Sequence, residues 1–240
     1  MSNNIKGYLE DLISEYRSQA AQLEESVRAA NQKYKKRLRE QDLYTPKFME
    51  TERSRAVDQA AAAHKNKAAE LNTRAKTHIS SAKERLLSAI TAVDKSGDYA
   101  VRVNNALQFV RIEGAAITDE TAAQILSDFL GDVETMQRFR SVISHQKGEQ
   151  LTDAYGKTTF PLTFGRLEKI EMFMGAFADL EATAEQLFIR KMSRTEEEHM
   201  PTGLTLYVPM DGLSQLMAER VIIDQANTVD VMADELTGGK

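Results

Sequence analysis

His64 and His78 are the first side chains whose type and spacing could do chemistry. They lie fourteen residues apart with Leu71 midway, so all three share one position of a seven-residue repeat. Two imidazoles on one helical face could bind a metal ion or respond to pH. Polar residues at such core positions more often set the register and oligomeric state of paired helices. We therefore predict that both histidines pack within a helical seam.

The tetrapeptide GKTT, Gly156–Thr159, has the letters that end a phosphate-binding loop. The complete motif requires a glycine five residues before Gly156 and a buried strand ahead of it. Leu151 holds that place, and the upstream pattern is helical. The sequence therefore predicts a loop over residues 147–161 and no nucleotide site.

Glu196 and His199 have the Glu-x-x-His spacing of di-iron helical bundles. That chemistry requires two such motifs and further carboxylates on facing helices. The chain has one, beside Pro201 in a predicted loop. We expect no metal site here and no cofactor elsewhere.

The run KYKKRLR, residues 33–39, could contact phosphate or an acidic partner. Charge runs on paired helices are more often solvated faces, and this is the interpretation we favour. Nucleic acid is therefore not an expected partner. The cations of the run are Lys33, Lys35, Lys36, Arg37 and Arg39.

No catalytic constellation emerges from the remaining side chains. The four histidines are scattered, cysteine is absent, and no serine has nucleophile-elbow flanks. The absence of cysteine also excludes a disulfide framework and thiolate metal ligation. The sequence predicts a protein that is not an enzyme.

Composition indicates a helix-rich globular chain with an uneven charge distribution. The 240 residues are 42% hydrophobic and 28% charged. No signal-peptide core and no apolar run of about 20 residues occurs, so we expect a soluble protein without membrane contact. Residues 1–95 hold 18 Lys+Arg against 13 Asp+Glu (+5), and residues 96–240 hold 13 against 23 (−10). Such asymmetry favours attraction between copies or to a charged partner.

A seven-residue apolar repeat runs through the N-terminal region, residues 1–95, and predicts a basic, alanine-rich coiled coil. We expect homo-oligomers to form through this seam. Its principal residues are Leu9, Ile13, Tyr16, Leu23, Val27, Tyr34, Val57, Leu71, Leu86 and Val93.

Pro46 interrupts the repeat and divides it into two helices, at about 5–44 and 46–95. Thr45 suits a helix N-cap and proline suits the first helical position, so a new helix is predicted to begin there. We favour an antiparallel hairpin. A kinked rod that pairs with other chains is the alternative.

The C-terminal region, residues 97–226, shows short, well-capped helical segments and predicts a compact acidic bundle. Thr118 and Asp132 are predicted N-caps. Leu204–Val208 is the one β-like segment, and residues 227–240 resemble a flexible acidic tail. The predicted fold class is thus all-α, with a long helical hairpin or rod followed by a bundle.

Two segments, NNALQFVRIEG and ITDETAAQILSDFLGDVETMQRF, lie within residues 104–139, after the basic coiled coil with its YTP break. In this combination the chain resembles small accessory proteins encoded among the head and structural genes of tailed bacteriophages of Gram-positive hosts. The resemblance covers most of the chain in architecture and is strongest over those residues. It implies a phage-encoded scaffold-like or virion component without enzymatic activity.

The expected function is therefore a structural or assembly protein that oligomerises through its N-terminal helices. It would present the acidic bundle to capsid or neck proteins, in the host cytoplasm or in the virion. The alternative is a regulatory module that sequesters a basic or nucleic-acid-binding host protein. The alternatives differ because a charge-driven complex should be sensitive to salt.

Overall fold

The computed structural model describes residues 4–38, 45–95, 97–148, 151–153, 157–188, 192–196, 205–209 and 212–238. Within these ranges the chain is almost entirely helical, which confirms the all-α fold class. The helices are α1 (Ile5–Leu38), α2 (Pro46–Ile90), α3 (Tyr99–Glu113), α4 (Asp119–Leu126), α5 (Val133–Lys147), α6 (Pro161–Gln186) and α7 (Gly212–Thr237). Strands β1 (Met192–Glu196) and β2 (Thr205–Pro209) pair antiparallel.

The chain divides into two compact units that differ from the division predicted from sequence. The first unit comprises Met1–Ser80 and Leu180–Asn227, and the second comprises Ser81–Asp179 and Thr228–Lys240. Both units are therefore built from segments that are distant in sequence.

In the first unit, α1 and α2 pack antiparallel along their length. Three ring contacts establish the direction, because the residue number falls along α2 as it rises along α1. The pairs are Tyr8 stacked on His78 at 3.8 Å, Tyr16 beside His64 at 5.5 Å, and the Arg53 guanidinium 5.1 Å from the Tyr34 ring. Leu23, Val27 and Val57 form a buried cluster between the two helices. The antiparallel arrangement favoured from sequence is thus the one observed.

Thr45 and Pro46 begin α2 as predicted. The Phe48 backbone N–H donates to Thr45 Oγ1 at 3.3 Å, which satisfies one of the free donors of the first turn. Proline at the first helical position loses no helical hydrogen bond. The helix ends at Ile90, a few residues before the predicted boundary at 95.

The end of α6 and the start of α7 complete the first unit. The Asn72 side-chain amide donates to the backbone oxygens of Ala184 and Leu187, both at 2.7 Å. At the start of α7, the buried Glu219 forms an ion pair with Arg17 of α1 at 2.7 Å. These bonds satisfy polar groups that would otherwise be costly to bury.

The second unit has its own apolar core, formed mainly by α3, α4, α5 and the first part of α6. Both predicted N-caps are present: Thr118 Oγ1 accepts from the Thr121 N–H, and Asp132 Oδ1 accepts from the Thr135 N–H. The largest fully buried side chains described in the second unit are Phe139, Phe164, Phe173 and Phe177.

Gly131 allows the chain to approach closely within the second unit. A Cβ atom there would lie 2.8 Å from Val93 Cγ2, a distance that real side chains do not show. Any larger residue at this position would have to displace the Val93 side chain.

Three elements differ from the sequence-based predictions. β1 is unexpected, because the sequence pattern places residues 192–196 at a helix end and in a loop; it pairs with β2 inside the same chain. The apolar pattern predicts a helix over about Thr163–Met192, whereas α6 ends at Gln186 and Phe188 takes a positive φ of 64°. α7 extends to Thr237 in place of the predicted flexible tail, because Val229, Ala233 and Leu236 are buried. Among the described residues, no helix combines the length and apolarity needed to cross a membrane.

Placing a charge between α1 and α2 should destabilise the first unit. In Leu23→Asp a carboxylate replaces a leucine that is 6% exposed, and we expect a loss of about 3 kcal/mol or more in unfolding free energy. Chemical denaturation followed by circular dichroism measures this loss. The neighbouring exposed Gln22→Asp serves as the control and should change stability by less than about 0.5 kcal/mol. Equal stability of both variants with the wild type would contradict the buried pairing.

Candidate interaction surface

Helix α3 is apolar on two opposite faces. One face is buried in the core of the second unit through Ala106 and Val110. The other carries Val101, Phe109 and Ile112, which are 57%, 58% and 77% exposed. Positions 101, 109 and 112 share one face at 3.6 residues per turn. Three large apolar side chains exposed on one side of a helix form a patch that is a candidate for covering by another molecule.

A groove of about 400 Å³ runs beside this exposed face, between α3 and the α4 region. Its apolar part includes Phe109 and Ile125, and its polar end is formed by Arg102 and Asp128. Those two residues form an ion pair at 3.3 Å. The remaining lining residues are Asn105, Ala106, Gln124 and Phe129. A concave apolar strip with polar ends suits the side chains of a helix better than it suits a small polar substrate.

Asp132 is the centre of a cluster of polar groups in the second unit. Its carboxylate accepts hydrogen bonds from the Tyr99 hydroxyl at 2.7 Å and from Thr135 Oγ1 at 2.9 Å, and it pairs with Lys95 Nζ at 2.7 Å. Burial opposes the charged form, but the bonds from Lys95, Tyr99 and Thr135 outweigh it and hold the pKa of Asp132 well below its usual range. The carboxylate is occupied by groups of the fold itself, so the cluster is structural.

Asp119 also has a capping role. Its carboxylate accepts from the backbone N–H groups of Leu162 and Thr163 at 2.9 and 3.0 Å, and from Thr163 Oγ1 at 2.7 Å. These are the free donors at the start of α6. The bond ties α4 to α6 and leaves this carboxylate without a catalytic assignment.

The two histidines singled out from sequence contact tyrosines of α1. His64 is 6% exposed and lies beside Tyr16, and His78 is stacked on Tyr8. Fourteen residues of helix separate the imidazoles by about 21 Å, too far to share one ion. Within the described ranges, no group of three or more His, Cys, Asp or Glu could hold a metal ion.

The other two motifs are described only in part. In GKTT, Gly156 lies outside the described residues, while Lys157 donates its N–H to Asp153 Oδ1 at 2.9 Å. Thr152 and Thr158 form an isolated β-bridge that closes the loop. Glu196 ends β1, and His199 lies outside the described residues.

The predicted seam residues are packed within one chain. Eight of them lie in the first unit and are buried there, whereas Leu86 and Val93 belong to the second unit and are half-buried. Val93 packs against the core of that unit. Their burial is thus explained without a second copy, and oligomerisation through them stays a prediction. The eight are Leu9, Ile13, Tyr16, Leu23, Val27, Tyr34, Val57 and Leu71.

The basic run lies at the end of α1. Lys33, Lys35 and Lys36 are exposed and Arg37 is half-buried, while Arg39 lies outside the described residues. Contact of this run with phosphate or an acidic partner stays a prediction.

No protein-family model, curated protein or solved structure matches this chain. The assignment of the candidate surface therefore rests on the geometry described above.

Sequence reasoning assigned α3 to the core and did not identify its exposed apolar face. Val101, Phe109 and Ile112 lie beside the exposed polar residues Asn104, Asn105 and Gln108, so the sequence pattern alone reads as an ordinary solvated side.

Removing the charge of Asp132 should destabilise the second unit in a pH-dependent way. Because the folded pKa is depressed, its contribution is fully present above the unfolded pKa of about 3.9 and is lost as the pH falls below that value. We expect Asp132→Asn to lose about 2 kcal/mol at pH 7. The difference from wild type should stay constant down to about pH 5 and shrink towards pH 3.

Urea denaturation at several pH values measures this difference. The control is Asp128→Asn, whose carboxylate is 61% exposed and should contribute less than about 1 kcal/mol. If both variants lose the same free energy, or if the Asp132→Asn difference is unchanged at pH 3, the structural role given to Asp132 is wrong.

Proposed function

We propose that this protein is a non-enzymatic interaction protein that docks another protein on the exposed face of α3. The observation that carries the proposal is the triplet Val101, Phe109 and Ile112 beside the α3–α4 groove. The buried face of α3 is seated in the core, so the exposed face is presented in one fixed geometry. Preorganisation of this kind lowers the entropic cost of binding.

The chemistry of the surface favours an amphipathic helix with basic flanks as the docked element. Apolar side chains spaced at three and four residues can enter a groove between two helices. The second unit holds 12 Lys+Arg against 17 Asp+Glu, a net charge of −5. Basic residues beside the apolar anchors would be attracted to such a surface.

An assembly role in a phage particle is the specific form of this proposal. It is supported by the resemblance over residues 104–139, which include most of α3 and all of α4 and its following turn. In this form the docked helix belongs to a capsid or neck protein. Copies of the chain would act in the host cytoplasm, in the particle, or in both.

The packing of α1 against α2 within one chain limits how copies of the chain can associate. Leu23 and Val27 already pack against Val57 of the same chain. A coiled-coil oligomer through these residues would require two chains to exchange helices, as in domain swapping. We therefore propose that partner binding uses α3 and does not depend on opening the helix pair.

A regulatory module is the second candidate, favoured by the negative charge of the second unit. Its target would be a basic or nucleic-acid-binding protein held mainly by charge. Raising the salt concentration from about 0.1 to about 0.5 M should then dissociate the complex, whereas an interface with a large apolar core should persist.

The test is affinity purification of tagged wild-type chain from the cells that produce it. We expect a reproducible set of bound proteins that is lost with Phe109→Asp, because a charge on the apolar strip opposes burial. The matched control is Met172→Asp, which adds the same charge at a side chain with the same 58% exposure on α6. The control should retain the bound proteins.

Two results would contradict the proposal. One is retention of the same proteins by wild type and both variants, which would exclude α3 as the docking surface. The other is recovery of no bound protein in any preparation. Circular dichroism of each variant verifies that the fold is unchanged, as expected for exposed positions.

A further inference from the structure

A small cavity lies between α1 and α2, close to the basic run. Its volume is about 80 Å³, well below the roughly 300 Å³ of a typical small-molecule site. A nucleotide or a peptide cannot enter it fully, but a single small ion can. The lining residues that carry charge are Lys33, Arg37, Glu52 and Arg53.

Arg53 is unusual because it is a buried arginine with unused hydrogen-bonding capacity. Its side chain is 4% exposed, and Nη2 pairs with Glu50 Oε1 at 2.6 Å. Its guanidinium lies against the ring of Tyr34, another lining residue. Nη1 is buried and has no hydrogen-bond partner in the described part of the chain. Buried donors are normally satisfied, so an unpaired guanidinium nitrogen beside a cavity can donate to an acceptor that enters it.

Two further cations line the same cavity from α1. Lys33 and Arg37 are four residues apart, so both occupy one face of the helix. Three cations thus converge on the cavity from two helices, against the single lining carboxylate of Glu52. Glu50 compensates one of these charges by pairing with Arg53. The unpaired Nη1 of Arg53, with the cationic side chains that line the cavity beside it, offers hydrogen-bond donors to an anion.

The carboxylate of Glu52 restricts which anion fits. An ionised carboxylate only accepts hydrogen bonds, so it repels sulfate or a carboxylate ligand that has no proton. Hydrogen phosphate carries an O–H group that can donate to Glu52 while its other oxygens accept from the cations. The paired N–H groups of a guanidinium, the arginine fork, can bind two phosphate oxygens at once.

We infer that the cavity formed by Lys33, Arg37, Glu52 and Arg53 binds inorganic phosphate. The arginine and lysine groups bind the charged oxygens, and Glu52 accepts the phosphate proton. The site shares no residue with the α3 surface, and the inference does not depend on the proposed function. Its position explains why part of the basic run is directed at α2, while Lys35 and Lys36 do not line the cavity.

Isothermal titration calorimetry of the full chain with sodium phosphate, at constant ionic strength and pH 7, tests this inference. We expect saturable binding of one phosphate per chain. Lys33→Gln should weaken binding by about tenfold, as loss of one charge-assisted hydrogen bond implies. Lys35→Gln removes the same charge two residues away, outside the cavity, and should leave the affinity within about twofold. Arg53→Lys, which keeps the charge and loses the fork, should also weaken binding.

Sulfate and phenyl phosphate complete the experiment. Sulfate has no proton to donate at pH 7, and only a small fraction of phenyl phosphate molecules carries one. Both should therefore bind at least about tenfold more weakly than phosphate. Glu52→Gln should reduce that preference, because an amide can donate to the unprotonated oxygen. Absence of saturable phosphate binding, or equal weakening by Lys33→Gln and Lys35→Gln, would overturn the site. Equal affinity for sulfate in the wild type would overturn the role of Glu52.

Discussion

The apolar face shared by α1 and α2 is the interaction on which the first unit depends. α2 is rich in alanine, which favours helix but buries little area, so it gains stability only beside a close neighbour. α1 supplies that neighbour with larger side chains. Tyr16 and Tyr34 contact His64 and Arg53, and Ala68 and Ala75 are buried along the same helix. The polar partners of the tyrosines specify one antiparallel register, because a shifted register would leave them buried without those contacts.

In this account the two units have different roles. The first unit packs its apolar seam within the chain, and its charged groups pair with one another, as Arg17 does with Glu219, or face the solvent and the small cavity at Arg53. The second unit, whose Asp132 network joins Lys95 and α3 to the start of α5, carries uncovered apolar surface on α3. A buried, charged and fully bonded carboxylate makes that arrangement rigid. The surface that we propose for docking is thus carried by a helix whose own position is well determined.

Much of this architecture follows from sequence periodicity and capping chemistry. The break at Thr45–Pro46 and the caps at Thr118 and Asp132 were predictable because local hydrogen bonds decide them. The helical continuation through 228–237 was not, since its apolar residues are sparse and its burial depends on distant segments. β1 was missed because its residues are polar and its pairing is tertiary. The cavity at Arg53 could not be predicted either, because its residues come from two helices whose register only the folded chain reveals.

Disulfide trapping of α1 against α2 tests the central claim most directly, because the natural chain has no cysteine. Val27 and Val57 belong to one buried cluster of a single chain. The double variant Val27→Cys, Val57→Cys should therefore oxidise to a monomer with an internal disulfide, seen on a non-reducing gel and by peptide mass. A mixture of the two single variants should yield no linked dimer. Efficient formation in that mixture of a disulfide between position 27 of one chain and position 57 of another would show that the helices pair between molecules, and would contradict their packing within one chain.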